Sequence, residues 1–338
     1  MSVINTGFIY PIVAYWSWGG GWLQVRGYQD FAGCGCVHIV GGLSALVAAW
    51  LLGPRYGFEK DPKNKPDVFS DPSYKEMEKD FPGKEREFRQ WVKESAEKPF
   101  EINSIMDVCA GTLLLWVGWF YFNGGSTSSM YTLRSNSPCR IVTNTIIAGG
   151  SGAITNTYLK PLLMRTYSKY NRHDLGATCD GVVCGLIAIT ASCNNVEPWA
   201  AFIIGFLSCP VSVCAILTIK AWGIDDPINA AAIHTSNGIW GLIAVGVFDN
   251  TKGFVSGNRL LMGKFFGYQV CGCVVILAWV FFWNFCLFSI LKSAKILRAP
   301  LVHEIIGLDY TECGKPFPDF LRIDQVAPGI KIIPDSET

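Results

Sequence analysis

The chain has 338 residues, 50% of them hydrophobic and 16% charged, with a formal net charge of +1. That balance excludes an acidic disordered protein, a nucleic-acid binder with a basic face and a small disulfide scaffold. The charge is also concentrated: residues 55–101 hold 23 of the 55 Asp, Glu, Lys and Arg side chains, which leaves the remainder with a membrane composition.

A helix needs about 20 mostly apolar residues to cross the hydrocarbon core. Windows free of those four residue types run over 1–25, 31–54, 108–133, 141–159, 181–196, 198–219, 227–248 and 265–291. They are continuous apolar runs without the alternation of barrel strands, so the expected fold class is all-α, a polytopic transmembrane helical bundle of about eight spans. The first Lys or Arg is Arg26, and Pro11 and the run Trp16-Ser-Trp-Gly-Gly-Gly21 precede it, so residues 1–18 read as a membrane helix rather than a secretory signal. Residues 1–54 form the first membrane block. Residues 55–104 follow as a charged loop with Pro62, Pro66, Pro72 and Pro82 and a helix-like stretch near 84–97, expected to be solvated and partly disordered. The second membrane block is 105–292, and 293–338 is a polar tail. Most of the 13 cysteines lie inside the windows without zinc-like spacing, which predicts buried apolar filler and no metal site or cofactor.

Alternating the loops across the bilayer puts 22 of the 28 Lys and Arg on one side and six on the other: Arg26, Arg134, Arg140, Lys252, Arg259 and Lys264. The richer side, which holds the 55–104 loop and the tail, is therefore assigned to the cytoplasm.

Of the four histidines, His173 and His303 flank charged segments, whereas His38 and His234 lie within apolar windows. Ionisable groups in spans are costly and usually face a bundle interior or a cavity. Asp30 precedes one window and Asp226-Pro227 opens the other, which reads as an N-cap with Pro227 at the first helical position. Each histidine follows its aspartate by eight residues, a predicted rise of about 12 Å along a helix. The sequences then run in parallel, His38-Ile-Val-Gly-Gly42-Leu-Ser-Ala-Leu46 against His234-Thr-Ser-Asn-Gly238-Ile-Trp-Gly-Leu242. The second copy lies five windows after the first, so the two helices are expected to run in opposite directions, an inverted repeat with its site at the midplane. Gly41, Ala45 and Ala48 on one helix, and Ala230, Ala231, Gly238 and Gly241 on the other, predict close approach. Two neutral imidazoles sharing a hydrogen bond leave nitrogen sites for a small polar solute. No acid stands beside them in the windows to complete a hydrolase triad, so no enzyme activity is expected. Taken singly, each histidine also reads as a hydrogen-bonded bridge between helices.

These residues resemble the ammonium transporter family (Amt/Mep/Rh, Amt branch). The resemblance is carried by Trp18 to Gly21, Asp30-Phe-Ala-Gly-Cys-Gly-Cys-Val-His38, Gly53-Pro-Arg55, the run from Leu115 to Ser126, Pro198 to Gly205, Asp225-Asp-Pro227 through His234, and Gly307-Leu-Asp309. It implies a homotrimeric, multi-pass plasma-membrane transporter of ammonium and ammonia with a narrow pore in each subunit. His38 and His234 match the paired pore histidines, Trp18 and Ser126 the external recruitment site, Phe122 one of two gating phenylalanines, and Asp30 the acid that supports the outer mouth. The family pattern of eleven spans implies that this chain lacks the first three transmembrane helices. Thr235 stands where glycine is usual, Cys313 where histidine is usual, and the 55–101 loop is longer than the pattern. The alternative implied by the missing helices is a non-transporting subunit or ammonium-sensing partner of full-length transporters.

Overall fold

The computed structural model describes residues 2–58, 66–98, 104–127, 138–165, 174–257 and 260–321. Arg134, Arg259 and His173, and the tail beyond Leu321, lie outside them. In the first window the helical turns Ser2–Ile4 and Asn5–Ile9 lead into α1 (Tyr10–Trp18). The chain then breaks at glycine: Gly20 adopts φ +84°, and a Cβ on Gly21 would lie 2.5 Å from the Tyr15 carbonyl oxygen. A short α2 (Trp22–Arg26) ends on Gly27, and α3 (Cys34–Leu52) follows, its first turns wound as a π-helix.

Between the two membrane blocks come α4 (Pro72–Glu78) and α5 (Glu85–Glu97). The second block contains α6 (Ile105–Gly125), α7 (Pro138–Leu163), α8 (Leu175–Ile189), α9 (Pro198–Ala221), α10 (Ala230–Phe248) and α11 (Met262–Ser293). The tail adds α12 (Leu301–Ile306) and α13 (Leu308–Thr311). Among the described residues, five helices are long and apolar enough to cross a membrane: α3, α6, α9, α10 and α11. The run ending at Trp18, together with α7 and α8, occupies the other three windows, which accounts for the eight.

The chain divides into two compact units, one comprising Met1–Gly53 and Ile102–Lys295, the other Pro54–Glu101 and Ile296–Thr338. The second unit differs from the expectation of a solvated, partly disordered loop. Val68, Tyr74, Met77, Phe81, Phe88, Trp91 and Val92 share one buried core with Val302, Ile306 and Leu321 of the tail. The Arg298 guanidinium donates to both oxygens of Glu304, and the same carboxylate accepts the Tyr56 backbone N–H at 2.8 Å, tying the two segments together. The helix-like stretch expected near 84–97 is α5, which is amphipathic: it turns Phe88, Trp91 and Val92 inward and its charges outward, toward a core the dense charge had concealed.

In the membrane unit the interior is built from small residues. A Cβ on Gly152 would strike the Gly181 carbonyl, and one on Gly185 the Ala148 carbonyl, so α7 and α8 touch backbone to backbone. The helix expected over the fifth window, 181–196, also needs a correction: α8 stops at Ile189 and Thr190 to Val196 turns without helix while staying largely buried. Non-helical backbone survives at such depth only when its polar groups are satisfied within the protein. Here Phe31 and Ala32 donate to the Ala191 and Thr190 carbonyls at 3.1 Å, and the Asn144 amide donates to the Cys193 and Val196 carbonyls at 2.9 Å.

Candidate functional site: a histidine pair beside an apolar cavity

The loop before α3 is organised by one carboxylate. Asp30 Oδ1 accepts the backbone N–H groups of Gly33 (3.0 Å) and Cys34 (2.7 Å), and Oδ2 accepts those of Gly35 (2.8 Å) and Cys36 (3.0 Å). Four orphan donors at a helix start are thus satisfied at once. Gly33 has φ +115°, and a Cβ on Gly35 would lie 2.6 Å from the Tyr28 hydroxyl, so the glycines of this motif are required by the turn and by crowding. The Trp18 indole N–H donates to the Asp30 backbone carbonyl at 2.6 Å. Asp226 plays the matching part before α10, accepting the Ala232 N–H at 2.9 Å.

These caps correct the sequence reading of both helix starts. Gly33 and Asn229 flank the first helical residues, Cys34 and Ala230, and Pro227 lies in a turn rather than at the first helical position. His38 and His234 therefore each stand four residues inside their helices, a helical rise of about 6 Å rather than 12 Å. The symmetry between the copies survives the correction, because both helices start late by the same amount.

The helices cross antiparallel. A Cβ on Gly42 would lie 2.5 Å from the Thr235 amide nitrogen, and one on Gly238 would lie 2.8 Å from the Cys34 carbonyl oxygen, so one chain ascends as the other descends. Gly238 and Gly241 lie in the crossing as predicted, but Gly42 replaces Gly41, which faces open space. At the crossing the Nδ1 atoms of His38 and His234 are 3.3 Å apart, with ring centroids at 5.3 Å. One Nδ1 must donate and the other accept, so the contact fits imidazoles that are not both protonated.

Trp119, which the sequence did not single out, completes the site. Its ring stacks on His38 at 5.2 Å and 11°, and its indole N–H donates to Thr190 Oγ1 at 3.0 Å, anchoring the stack to the buried turn after α8. Phe122 stands 5.9 Å from His38 and 5.8 Å from Trp119. A cavity of about 470 Å³ adjoins this group, lined by His38, Trp119 and Phe122 with Gly111, Leu114 and Gly118 of α6. His38 Nε2 is sealed from solvent and has no hydrogen-bond partner among the described residues.

The structure thus brings together His38, His234 and Phe122, adds Trp119, and joins Trp18 to Asp30. Ser126 is held separately, its hydroxyl donating back to the Phe122 carbonyl at 2.8 Å. The Asp30 carboxylate is fully engaged with backbone N–H groups and fixes the loop before α3. Seven of the thirteen cysteines are buried, and Cys34 does more than fill space: its thiol donates to the Ile187 carbonyl at 3.0 Å and accepts the Ala191 N–H at 3.1 Å.

Comparison with known proteins gives a consistent picture. Residues 1–73 and 84–316 match the model of the Ammonium Transporter Family. The chain is 34% identical to Ammonium transporter Amt2 of Archaeoglobus fulgidus, over 97% of this chain and 65% of that protein. It is 33% identical to Ammonium transporter 1 member 1 of Arabidopsis thaliana, over 93% of this chain and 61% of that protein. Among solved structures, a Sensor Amt Protein superposes with a TM-score of 0.69 at 29% identity, covering 90% of this chain and 67% of that one. Mep2 of Candida albicans superposes with a TM-score of 0.66 at 26% identity, covering 88% and 58%. The chain spans just under two thirds of the length of these two named relatives.

Proposed function

Since this chain belongs to the ammonium transporter family, we propose that it moves ammonium nitrogen across the plasma membrane, shedding a proton on entry and passing neutral ammonia by the histidine pair. The observation that carries this reading is the 3.3 Å contact between His38 Nδ1 and His234 Nδ1 beside an apolar cavity. A cation at the bilayer centre is expensive, whereas neutral ammonia is not. Deprotonation also separates ammonium from potassium, which has no proton to give up. In this reading NH4+ gives up its proton at the outer mouth, NH3 crosses the apolar passage, and the proton is relayed by the imidazole nitrogens.

Trp18 and Ser126 are assigned to the recruitment of the cation, the first through its aromatic face and the second through its hydroxyl. Phe122 is assigned to the gate, and Asp30 to holding the mouth in shape. The assembly is read as a homotrimer with a cytoplasmic C-terminus, in keeping with the excess of Lys and Arg on the tail side. Expression in a yeast strain lacking ammonium uptake tests the proposal. The wild-type chain should restore growth on low ammonium, and His38→Ala should change the flux or its selectivity against methylammonium. Growth restored equally by both would remove the histidine mechanism.

The likeness to a Sensor Amt Protein favours one second reading, a non-transporting subunit or ammonium-sensing partner. In that case the chain alone gives no growth, but it co-purifies with a full-length family member when the two are co-expressed.

A further inference from the structure

Three of the six Lys and Arg on the cation-poor side of the bundle converge on one pocket. Arg26 closes α2, Lys252 lies in the turn after α10, and Lys264 sits in the first turn of α11; with Leu261, Phe265 and Tyr268 they line a cavity of about 210 Å³. None of the three is ion-paired with a carboxylate among the described residues, whereas Arg140 on the same side is paired with Glu197 at 2.7 Å.

The framework around the cations is fixed. Asp249 Oδ1 accepts the N–H groups of Thr251 and Lys252 at 2.8 and 2.9 Å, which holds the Lys252 backbone. Gly27, at φ +99°, turns the chain beside the Tyr268 ring. Lys264 occupies the N-terminal turn of a 32-residue helix that has no acidic residue there, so its charge adds to the positive end of the helix dipole. Two more like charges share the same small cavity. An anion in the cavity meets all three side-chain cations, whereas the Asp249 carboxylate is taken up by backbone N–H groups at Lys252.

The surroundings specify the kind of anion. Leu260 and Leu261, 91% and 45% exposed, adjoin the cations at the end of a membrane span. The Phe265 and Tyr268 rings lie 5.6 and 6.0 Å from the Lys252 and Lys264 ammonium groups. Aromatic rings and basic side chains at a span end mark the headgroup level of a bilayer, where a basic pocket meets phosphate and exposed leucines meet acyl chain. We propose that the pocket of Arg26, Lys252 and Lys264 binds the phosphate of an anionic phospholipid headgroup. The assignment requires only that the chain sits in a membrane and holds whether or not it transports.

Native mass spectrometry of the full chain in detergent, titrated with phosphatidylglycerol, phosphatidylcholine or inorganic phosphate, tests it. Wild-type protein should retain phosphatidylglycerol in preference to phosphatidylcholine. The R26Q/K252Q/K264Q variant should bind phosphatidylglycerol about a hundredfold more weakly, and K264Q alone about fivefold, which keeps the test open if the triple variant does not fold. Neutralising exposed Lys75, Lys79 and Lys93 of the other unit should change binding less than twofold. Equal weakening by both sets, or equal retention of the two lipids by wild type, overturns the proposal. Displacement of phosphatidylglycerol by equimolar inorganic phosphate overturns the lipid as the ligand.

Discussion

In the membrane unit Leu114 and Tyr121 are 75% and 77% exposed while Asn123, Asn144, Ser208 and Asn237 are sealed inside; in the second unit Phe88 and Val92 are sealed and the glutamates of α5 face out. The same twenty side chains are sorted by different solvents. Lipid tails dissolve leucine as well as a protein interior does, so the membrane helices gain nothing by hiding it and instead bring small residues and hydrogen-bonding side chains together. Water expels the large apolar rings of the second unit, where Phe81, Phe88 and Tyr74 stack at centroid distances of 4.7 and 5.5 Å.

The sharpest way to break this contrast is to enlarge a small residue in the membrane interior. Gly42→Leu places a Cβ 2.5 Å from the Thr235 backbone nitrogen, which cannot move aside as a flexible side chain could. The variant should lose more than about 4 kcal/mol and fail to elute as a monodisperse peak in detergent. A heat-stable, monodisperse Gly42→Leu protein would show that the crossing is loose. The opposite change suits the other unit: Phe88→Ala should cost about 3–5 kcal/mol there. Hydrogen exchange should accelerate over 85–97 and stay unchanged over 230–248; acceleration in both would mean that the two units do not unfold separately.

A smaller effect concerns the polar groups of the membrane interior. Asp30→Asn leaves one acceptor oxygen for four backbone N–H groups, a loss of about 2–3 kcal/mol. Thermal unfolding should report it, with a shift in tryptophan emission as the Trp18 anchor moves. The smallest effect is at the lipid surface. Ile290→Ala, at a position 66% exposed, should change stability by no more than about 0.5 kcal/mol in the same detergent. A loss several times larger would reveal a protein surface covering that face.

The histidine pair was legible because two copies of one pattern carried it, and the odd offset of five windows from one to the other set the antiparallel crossing. The helix starts were misjudged because a carboxylate that caps from three to six residues upstream leaves the same Asp-to-His spacing as one that caps directly. Trp119 had no signal: one indole in an apolar window looks like any lipid-facing ring until Thr190, 71 residues away, accepts its N–H. The second unit was missed for the opposite reason. Its inward positions, Tyr74, Met77, Phe81, Phe88, Trp91 and Val92, are all present in the sequence, but dense charge masked their spacing, and their partners Val302 and Ile306 come from the far end of the chain. Part of that core, Tyr74, Met77 and Phe81, lies in the 74–83 stretch outside the family match.

Facing Nδ1 atoms give the imidazole couple a sense of direction. With both rings uncharged, the ring that donates across the 3.3 Å gap keeps a bare Nε2, and the ring that receives carries its hydrogen on its own Nε2. One outer end of the row is then a lone pair and the other an N–H, like the two poles of a battery. Handing one proton along the row reverses the poles, so a second handover in the same sense must wait until both tautomers have been reset.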